Sequence, residues 1–557
     1  MRLLSIELFG EYKGLANQAF DFSVAEGDVA VLIGMNGSGK SQVMELIAEV
    51  FAYLEREQRS DFRVRESLGY GFRVKYKLSL ADVDESRLYV IDSRGGVRVE
   101  VYERELSPEA GEPGLHNPWL RTQTLDSLDD VLLPRIVGYA SGLSENLQRP
   151  FMRNALQFHD VIRVRSRLKE ELAQPHVDER ATIEINRRYL ERHGGIFSKE
   201  SEADGAELFR LRESDTVAPR SLFLDYDCAA LVIALLGMLP ANDRDAIWGE
   251  IPFRHPARAI VRFDLRNQAT AGDNARDIQR LIELAGPGRL TPLSARVSEE
   301  KYELFQLDHL AGDIEIDFTD PQVVGRIQDN AREPSQWFAA LYKLQLLGVG
   351  AWSGELKKNL RRDGFQGHVK KPLKGKLPLS VQELSMSDGQ SQVSLDDLSD
   401  GEFQLLLTLG AVRLFGDDET LFLFDEPETH LNPSWRTRFH LDFERANLAE
   451  GSAQAVVSSH SPFLVSSLPR QSVFHFKKMD GVTLMSTPDS ETFGASFDLL
   501  IKRHFDLKAA ISETAIQEIR KKLASESLST GDKLAWLETA VGDSLERSYL
   551  INKLRAE

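Results

Sequence analysis

A glycine-rich octapeptide near the N-terminus constrains the fold more than any other feature of this sequence. Residues 34–41 read Gly-Met-Asn-Gly-Ser-Gly-Lys-Ser and match the pattern G-x-x-x-x-G-K-[ST] without deviation. Apolar residues 29–33 precede the octapeptide, and apolar residues at helical spacing follow it over residues 43–51. A strand, a glycine loop and a helix in this order predict an α/β fold with the loop at the end of a buried strand.

The residue types of this loop suit phosphate binding. Glycines let the backbone wrap around an anion, so that successive N–H groups and the helix N-terminus point at it. The lysine reaches the β- and γ-phosphates, and the serine after it holds Mg²⁺. A chance glycine loop before a helix is the alternative, but the flanking segments favour a site for ATP and Mg²⁺. The predicted binding residues are Gly34, Asn36, Gly37, Ser38, Gly39, Lys40 and Ser41.

Two more apolar segments, almost four hundred residues later, end in ionisable residues. One is followed by Asp425 and Glu426, and the other by His460. An aspartate at a strand end can hold Mg²⁺, and the adjacent glutamate can polarise a water molecule. A single histidine is more often structural, but ligands of open α/β sheets bind where strands end. We therefore expect the two acids and the histidine to meet the lysine of the octapeptide.

Two further segments resemble a known family. Residues 398–402, Leu-Ser-Asp-Gly-Glu, resemble the signature of ABC-type ATPases, whose usual form is LSGGQ or LSxGE. Residues 429–433, Thr-His-Leu-Asn-Pro, resemble the D-loop of the branch that contains RecF, SMC proteins and OLD-like ATPases. In this family two ATPase heads sandwich two nucleotides, and the signature of one head contacts the γ-phosphate held by the other. The resemblance therefore implies a homodimer that hydrolyses ATP.

The resemblance also implies a role for each matching residue. Glu426 becomes the general base, His460 the switch histidine, and Asp425 together with the serine of the octapeptide a ligand of Mg²⁺. Asp400, where many members have glycine, is a departure that the SMC-like branch shares. The signature residues assigned to nucleotide binding are Ser399, Gly401 and Glu402.

Within this branch, the order of features is similar to that of the PtuA family, the ATPase subunits of Septu and of retron-linked anti-phage systems. The similarity lies in three segments, residues 137–142, 426–433 and 542–547. It implies an ATPase that senses or regulates within a defence complex and binds an HNH-type nuclease subunit. A retron-linked version would also associate with a reverse transcriptase and its RNA–DNA product.

Two other classes of function stay open. One is a RecF- or SMC-like ATPase of DNA repair or recombination that clamps DNA. The other is a scaffold that uses nucleotide to hold an assembly together, with little turnover. A transport ATPase is the least favoured class, because the segment between Lys40 and Ser399 is far longer than in a simple transporter subunit.

The chain divides into four predicted segments around this ATPase head, which is expected to contain a mixed sheet flanked by helices. Residues 1–149 form an N-terminal lobe, and residues 346–489 form a C-terminal lobe with the signature and the acidic strand end. Between them, residues 150–345 are expected to be a large, mostly helical insertion without sustained heptads. Residues 490–557 are predicted to form a helical tail, a candidate for partner docking.

Some positions keep two interpretations. A polar Q-loop residue precedes the insertion in this family, and Glu145, Asn146 and Gln148 are equal candidates. Tyr12 and Lys13 either stack on adenine or form a surface turn.

Basic residues are concentrated in residues 357–376, although the 557-residue chain has a net charge of −18. Such a segment could bind nucleic acid in a salt-dependent way, or it could be a solvated hairpin. The candidate contacts are Lys357, Lys358, Arg361, Arg362, Lys370 and Lys371.

The composition indicates a cytoplasmic protein. A single cysteine, Cys228, excludes a disulfide framework and fits a reducing compartment. No signal-peptide pattern is seen at the N-terminus, and the longest apolar run, residues 228–239, is shorter than the ~20 residues needed to cross a bilayer. We expect that run to be a buried core helix.

Overall fold

The computed structural model describes residues 1–59, 68–79, 86–104, 119–141, 145–193, 218–240, 243–244, 251–266, 271–299, 302, 305–330, 332–362, 377–417, 419–447, 453–505 and 511–556. Its strands are β1 (Arg2–Phe9), β2 (Glu11–Tyr12), β3 (Leu15–Ala16), β4 (Ala19–Asp21), β5 (Val29–Gly34), β6 (Gly71–Ser79), β7 (Ser86–Asp92), β8 (Arg98–Arg104), β9 (Trp119–Leu125), β10 (Arg135–Ala140), β11 (Ser221–Leu224), β12 (His255–Asp264), β13 (Leu290–Pro292), β14 (Ala311–Asp317), β15 (Leu379–Ser387), β16 (Gln392–Ser394), β17 (Thr420–Asp425), β18 (Gln454–Ser458), β19 (Val473–Met479) and β20 (Val482–Ser486). Its α-helices are α1 (Lys40–Gln58), α2 (Glu145–Leu172), α3 (Glu179–His193), α4 (Tyr226–Leu235), α5 (Ala271–Ala285), α6 (Pro321–Gln328), α7 (Pro334–Leu346), α8 (Gly354–Leu360), α9 (Asp400–Phe415), α10 (Pro433–Ala446), α11 (Pro462–Ser466), α12 (Phe497–His504), α13 (Glu513–Ala524), α14 (Thr530–Ala540) and α15 (Leu545–Ala556).

A seven-stranded sheet, in the order β11-β10-β17-β18-β5-β19-β20, forms the centre of the fold. Every neighbouring pair is parallel except β19 and β20, which are antiparallel. Strands β5 and β18 are buried throughout, as apolar strands covered on both faces must be. The carboxyl ends of β5, β17 and β18 therefore lie side by side at one edge of the sheet, where the sequence predicts the site.

The residues of β5 alternate between two hydrophobic cores on opposite faces of the central sheet. Ala30 and Leu32 belong to the core shared with α1 and with a six-stranded antiparallel sheet, β4-β1-β6-β7-β8-β9. Val29, Val31 and Ile33 belong to the core shared with α4, α9 and α10. The α/β fold class, with sheets flanked by helices and a helical C-terminal segment, is confirmed.

Helix α1 begins at the octapeptide and is fixed by buried charges as well as by its predicted apolar face. Glu45 and Glu49 are 2% and 3% exposed, and they pair with Arg149 and Arg153 of α2. Lys13 Nζ also lies 2.6 Å from Glu45 Oε1. Removing one partner of a buried ion pair leaves an uncompensated charge, so these contacts hold α1 firmly against α2.

The segment predicted to be a mostly helical insertion contains strands that the sequence analysis overlooked. Strand β11 extends the central sheet, and β12, β13 and β14 form a five-stranded sheet with β15 and β16, in the order β13-β14-β12-β15-β16. Arg258 and Arg262 of β12 pair across this sheet with acids of β14. The alternation of polar and apolar residues in β12 is typical of a half-buried strand, and this signal was overlooked among the surrounding helical segments.

The apolar run that starts at Cys228 is a core helix, as predicted. In α4, every residue from Cys228 to the end of the helix is buried, and burial raises the pKa of the Cys228 thiol. No helix in the described part of the chain is both long enough and apolar enough to span a membrane.

Candidate functional site

The glycine loop between β5 and α1 is pressed tightly against the hairpin of β19 and β20. Gly34 has a φ of +143°, and a Cβ there would lie 2.3 Å from the Phe476 carbonyl oxygen. Gly39 has a φ of +110°, and a Cβ there would lie 2.8 Å from the Thr483 side chain. Any residue with a Cβ would clash at either position and would strain the backbone. The loop is therefore a rigid cradle at the N-terminus of a 19-residue helix.

Lys40, the first residue of α1, folds back over this cradle. Its ammonium donates to the carbonyl oxygens of Gly34 (2.8 Å) and Met35 (3.3 Å), and it lies 3.3 Å from His460 Nε2. Burial lowers the pKa of Lys40, while the nearby carboxylates of Asp425 and Glu426 raise it. The lysine is thus held where a phosphate cradled by the loop would meet its positive charge.

Asp425 brings a carboxylate from the end of β17 to the start of α1. Its Oδ1 lies 3.5 Å from Ser41 Oγ and also accepts a hydrogen bond from Ser458 Oγ at the end of β18. Burial raises the pKa of Asp425, and these hydroxyl groups oppose that rise. A hydroxyl and a carboxylate side by side are hard oxygen donors, and this donor set fits Mg²⁺.

Glu426 has a left-handed backbone, with a φ of +52°, which is uncommon for a residue with a side chain. Its N–H donates to the Ser458 carbonyl oxygen (3.1 Å), and its own carbonyl accepts from Thr429 Oγ1 (3.0 Å). The half-exposed carboxylate lies 3.4 Å from His460 Nε2. Backbone strain of this kind is concentrated at functional sites.

His460 lies between the lysine of the cradle and this carboxylate. Burial, followed by the positive charge of Lys40, lowers the pKa of the imidazole, and Glu426 and Asp425 oppose the effect. The lowered pKa favours the neutral form of the imidazole. One small region thus contains Lys40, Ser41, Asp425, Glu426 and His460, the convergence that the strand ends predict.

The signature residues form a separate group. Ser399 caps α9, where its hydroxyl donates to Glu402 Oε2 (2.7 Å) and accepts the Glu402 N–H (3.3 Å). Within the described chain, the exposed Ser399 hydroxyl has no other hydrogen-bond partner. Gly401 packs closely, since a Cβ there would lie 2.9 Å from the His430 carbonyl oxygen. Among the described residues, no hydrogen bond joins Ser399 to residues 34–41 of the same chain.

Glu428 is the main residue of this region that sequence analysis missed. It is 4% exposed, and Ser459 Oγ donates to its Oε1. Burial raises the pKa of Glu428 to about 7, against a hydrogen bond from Ser459 that lowers it. Its position two residues after the predicted base was a signal, but its burial depends on β18, a distant segment of the chain.

Glu428→Gln is expected to stabilise the chain more at high pH than at low pH. The folded chain binds a proton at Glu428 more tightly than the unfolded chain, because the pKa rises from 4.5 to about 7 on folding. The protonated Glu428 therefore adds its full contribution to the free energy of unfolding below pH 4.5, and this contribution is lost as the pH rises to about 7. As the pH rises from about 5 to about 8, the free energy of unfolding of the variant should increase by about 2–3 kcal/mol relative to that of wild type.

Unfolding free energies from denaturant titrations at the two pH values test this expectation. Thr514→Ala, at an exposed helix position without a titratable group, is the control, and its effect on the free energy of unfolding should be the same at both pH values. An equal difference between wild type and Glu428→Gln at both pH values would contradict the raised pKa.

Other predicted residues are placed differently from the expectation. The Tyr12 ring is 5% exposed and packs edge-on against Tyr70 at 5.3 Å, so it presents no free face to adenine. The ammonium of Lys13 is paired with the carboxylate of Glu45. Gln148 lies in the first turns of α2 and donates to Asp225 Oδ2 (3.0 Å), which leaves the choice of Q-loop residue open. Tyr12 was misjudged because its loop folds under α2, a distant element.

The basic cluster is partly engaged by the protein itself. Arg361 Nη2 lies 2.7 Å from Asp160 Oδ2, and Lys357 Nζ donates to the Gly350 carbonyl oxygen (2.7 Å). Lys358 and Arg362 are exposed. The remaining candidates, Lys370 and Lys371, lie outside the described residues.

Comparison with protein families identifies a match over residues 296–466 to a model described as "AAA domain, putative AbiEii toxin, Type IV TA system". The match includes Asp425, Glu426 and His460 but not residues 34–41. The chain is also 27% identical over 115 residues to Protein ea59 of Escherichia phage lambda, which amounts to 21% of the chain. The matched region of the chain spans 22% of the length of that relative.

Among solved structures, the chain is similar to heads of SMC proteins at low scores. The SmcHead bound to the C-winged helix domain of ScpA is 13% identical with a TM-score of 0.30, covering 88% of this chain and 98% of that one. The SMC head domain from Thermotoga maritima is 10% identical with a TM-score of 0.28, covering 88% of this chain and 100% of that one.

Proposed function

We propose that the chain binds ATP with Mg²⁺ and hydrolyses it to ADP and phosphate. The observation that carries the proposal is the convergence of a lysine, a serine, two acids and a histidine at three neighbouring strand ends. Lys40 Nζ lies 3.3 Å from His460 Nε2, Ser41 Oγ lies 3.5 Å from Asp425 Oδ1, and His460 Nε2 lies 3.4 Å from Glu426 Oε1. The matched AAA-domain model agrees with this class of activity.

Each side chain has one task in the proposed reaction. Lys40 and the amides of the loop bind the β- and γ-phosphates, while Ser41 and Asp425 hold Mg²⁺. When bound there, the ion would supply positive charge against the negative charge that develops on the phosphates. A water oxygen bonds to the γ-phosphorus as the bond to the β–γ bridging oxygen breaks, and the proton of the water passes to Glu426. His460 hydrogen-bonds the γ-phosphate.

A second copy of the chain completes the site in this proposal. Ser399 is exposed at the N-terminus of α9, and its hydroxyl is oriented by Glu402, so it is free to meet the γ-phosphate bound by another copy. Gly401, the second residue of α9, lets the start of this helix pack against the His430 carbonyl oxygen, where a Cβ would clash. The carboxylate of Glu402 is bound to Ser399, and we assign it to orienting the hydroxyl.

Ser399→Arg is expected to abolish ATP turnover while ATP binding to the monomer is retained. The arginine would displace the serine hydroxyl from the γ-phosphate bound by the other copy, but it would leave residues 34–41 untouched. Turnover by phosphate release and binding of a fluorescent ATP analogue are the measurements. Ser529→Arg is the matched control, because Ser529 caps α14 with an equivalent capping box. Turnover by Ser399→Arg at the level of Ser529→Arg would contradict the proposed second copy.

We propose further that turnover regulates a nuclease of HNH type within an anti-phage defence complex. The support is the resemblance of residues 426–433 and 542–547 to ATPases of such systems, together with a family description that names a toxin of a toxin–antitoxin system. A reverse transcriptase with RNA–DNA is a further candidate in a retron-linked complex.

Expression of the chain together with the products of its adjacent genes tests this part of the proposal. We expect an HNH nuclease to co-purify with the chain. ATP-dependent binding of plain duplex DNA, lost in a double Lys358→Ala and Arg362→Ala variant, would instead favour a repair ATPase. A stable ATP complex without turnover would favour a scaffold.

A further inference from the structure

Glu428 is a buried carboxyl that the proposed reaction does not use. It lies in the loop 426–432 after β17, and its Oε2 has no hydrogen-bond partner among the described residues. Burial of a carboxyl with an unpaired oxygen destabilises a fold. Its one side-chain hydrogen bond, from Ser459 Oγ to Oε1, joins this loop to the end of β18.

Ser459 is held from three sides. Its N–H donates to the Leu32 carbonyl oxygen on β5 (3.0 Å), and its hydroxyl donates to Glu428. The same hydroxyl accepts the N–H of Ser461 (2.9 Å). His460 is the residue between these two serines, so this one hydroxyl and its carboxyl partner tie the backbone that follows the imidazole to the backbone that precedes it.

We propose that Glu428 is a positioning residue which, through Ser459, holds the imidazole of His460 between Lys40 and Glu426. The carboxyl orients the Ser459 hydroxyl, and the oriented oxygen fixes the Ser461 N–H. Without this link the Ser461 N–H loses its acceptor, and the proposal expects the imidazole to shift from its 3.3 Å and 3.4 Å contacts, through Nε2, with the lysine and the glutamate. This inference rests on the proposed function, because it makes Glu428 act through a residue of the ATPase site.

Steady-state kinetics of the full chain test the proposal. Glu428→Ala and Ser459→Ala are each expected to lower kcat by about ten- to one-hundredfold, as loss of orientation does. The KM for ATP should change by no more than about twofold, because the glycine loop and Lys40 are intact. Glu428→Gln keeps an acceptor for Ser459 and should retain most of the activity.

A double-mutant cycle separates positioning from general damage. In a His460→Ala background, Glu428→Ala should cause no further loss of kcat, because its effect acts through the imidazole. Ser472→Ala is the matched control, since Ser472 is also fully buried and its hydroxyl also bridges two segments, at Glu26. An equal loss with and without His460, or an unchanged kcat in Glu428→Ala, would overturn the proposal.

A crystal structure of the Ser459→Ala variant gives a readout that does not depend on turnover. The proposal predicts that His460 Nε2 moves away from Lys40 Nζ, and an unmoved imidazole would contradict it. Should the wild-type chain show no ATP turnover, the proposed function fails, while this structure still decides whether the hydroxyl positions the histidine.

Discussion

Lys40→Ala is expected to weaken ATP binding by at least about a hundredfold, which corresponds to about 3 kcal/mol. Lys40 is 6% exposed, and among the described residues its ammonium is the one cation that donates to the carbonyl oxygens of the glycine loop. Charge-assisted hydrogen bonds to phosphate are worth about 1.5–3 kcal/mol each, and alanine removes all of them.

Isothermal titration with ATP and Mg²⁺ measures this loss. Lys502→Ala is the control, because the Lys502 ammonium is also held by polar partners, with its Nζ 2.7 Å from Glu546 Oε1, but it lies on α12. It should bind ATP as wild type does, and thermal melting should show that both variants are folded. Tight ATP binding by a folded Lys40→Ala variant would mean that residues 34–41 do not bind phosphate.

Glu426→Gln is expected to lower ATP turnover by at least about a hundredfold while ATP binding is retained. An amide has nearly the shape of a carboxylate, so the position opposite His460 stays filled, but it does not accept the proton of the attacking water. Hydrolysis then stalls with ATP bound. If two copies enclose the nucleotide, the stalled state is a dimer that should accumulate.

Phosphate release and light scattering with ATP and Mg²⁺ measure the two effects together. Glu444→Gln is the matched control, since Glu444 also faces a histidine, with Oε1 3.7 Å from His440 Nε2, but on the surface of α10. It should hydrolyse ATP at the wild-type rate and form no trapped dimer. Near-normal turnover by Glu426→Gln would show that the general base is another residue.

Local patterns predicted the parts of this fold that local forces determine. The apolar spacing of Val43, Met44, Leu46, Ile47, Val50 and Phe51 predicted the buried face of α1, and each of these residues is at most 2% exposed. The strand ends that carry Asp425 and His460 were predictable for the same reason, because continuous apolar segments become buried parallel strands.

Other features depend on contacts between distant parts of the chain. Strand β12 pairs along its backbone with β14, where Arg262 meets Asp313 about fifty residues away along the chain. Glu428 becomes a buried carboxyl because β18 places Ser459 against it. No periodicity of a single segment encodes such a pairing, and this is why the five-stranded sheet and the link to His460 emerged only from the structure.

The central claim is that ATP is hydrolysed where the cradle of one copy meets the Ser399 of another. Mixing Lys40→Ala with Ser399→Arg tests it most directly, because each variant alone is expected to be inactive. A mixed dimer has one site with both defects and one site with none. The account predicts that mixing restores turnover to about one quarter of the wild-type rate, since half of randomly formed dimers are mixed. Two folded variants that stay inactive when mixed, or a Ser399→Arg variant that is active alone, would contradict it.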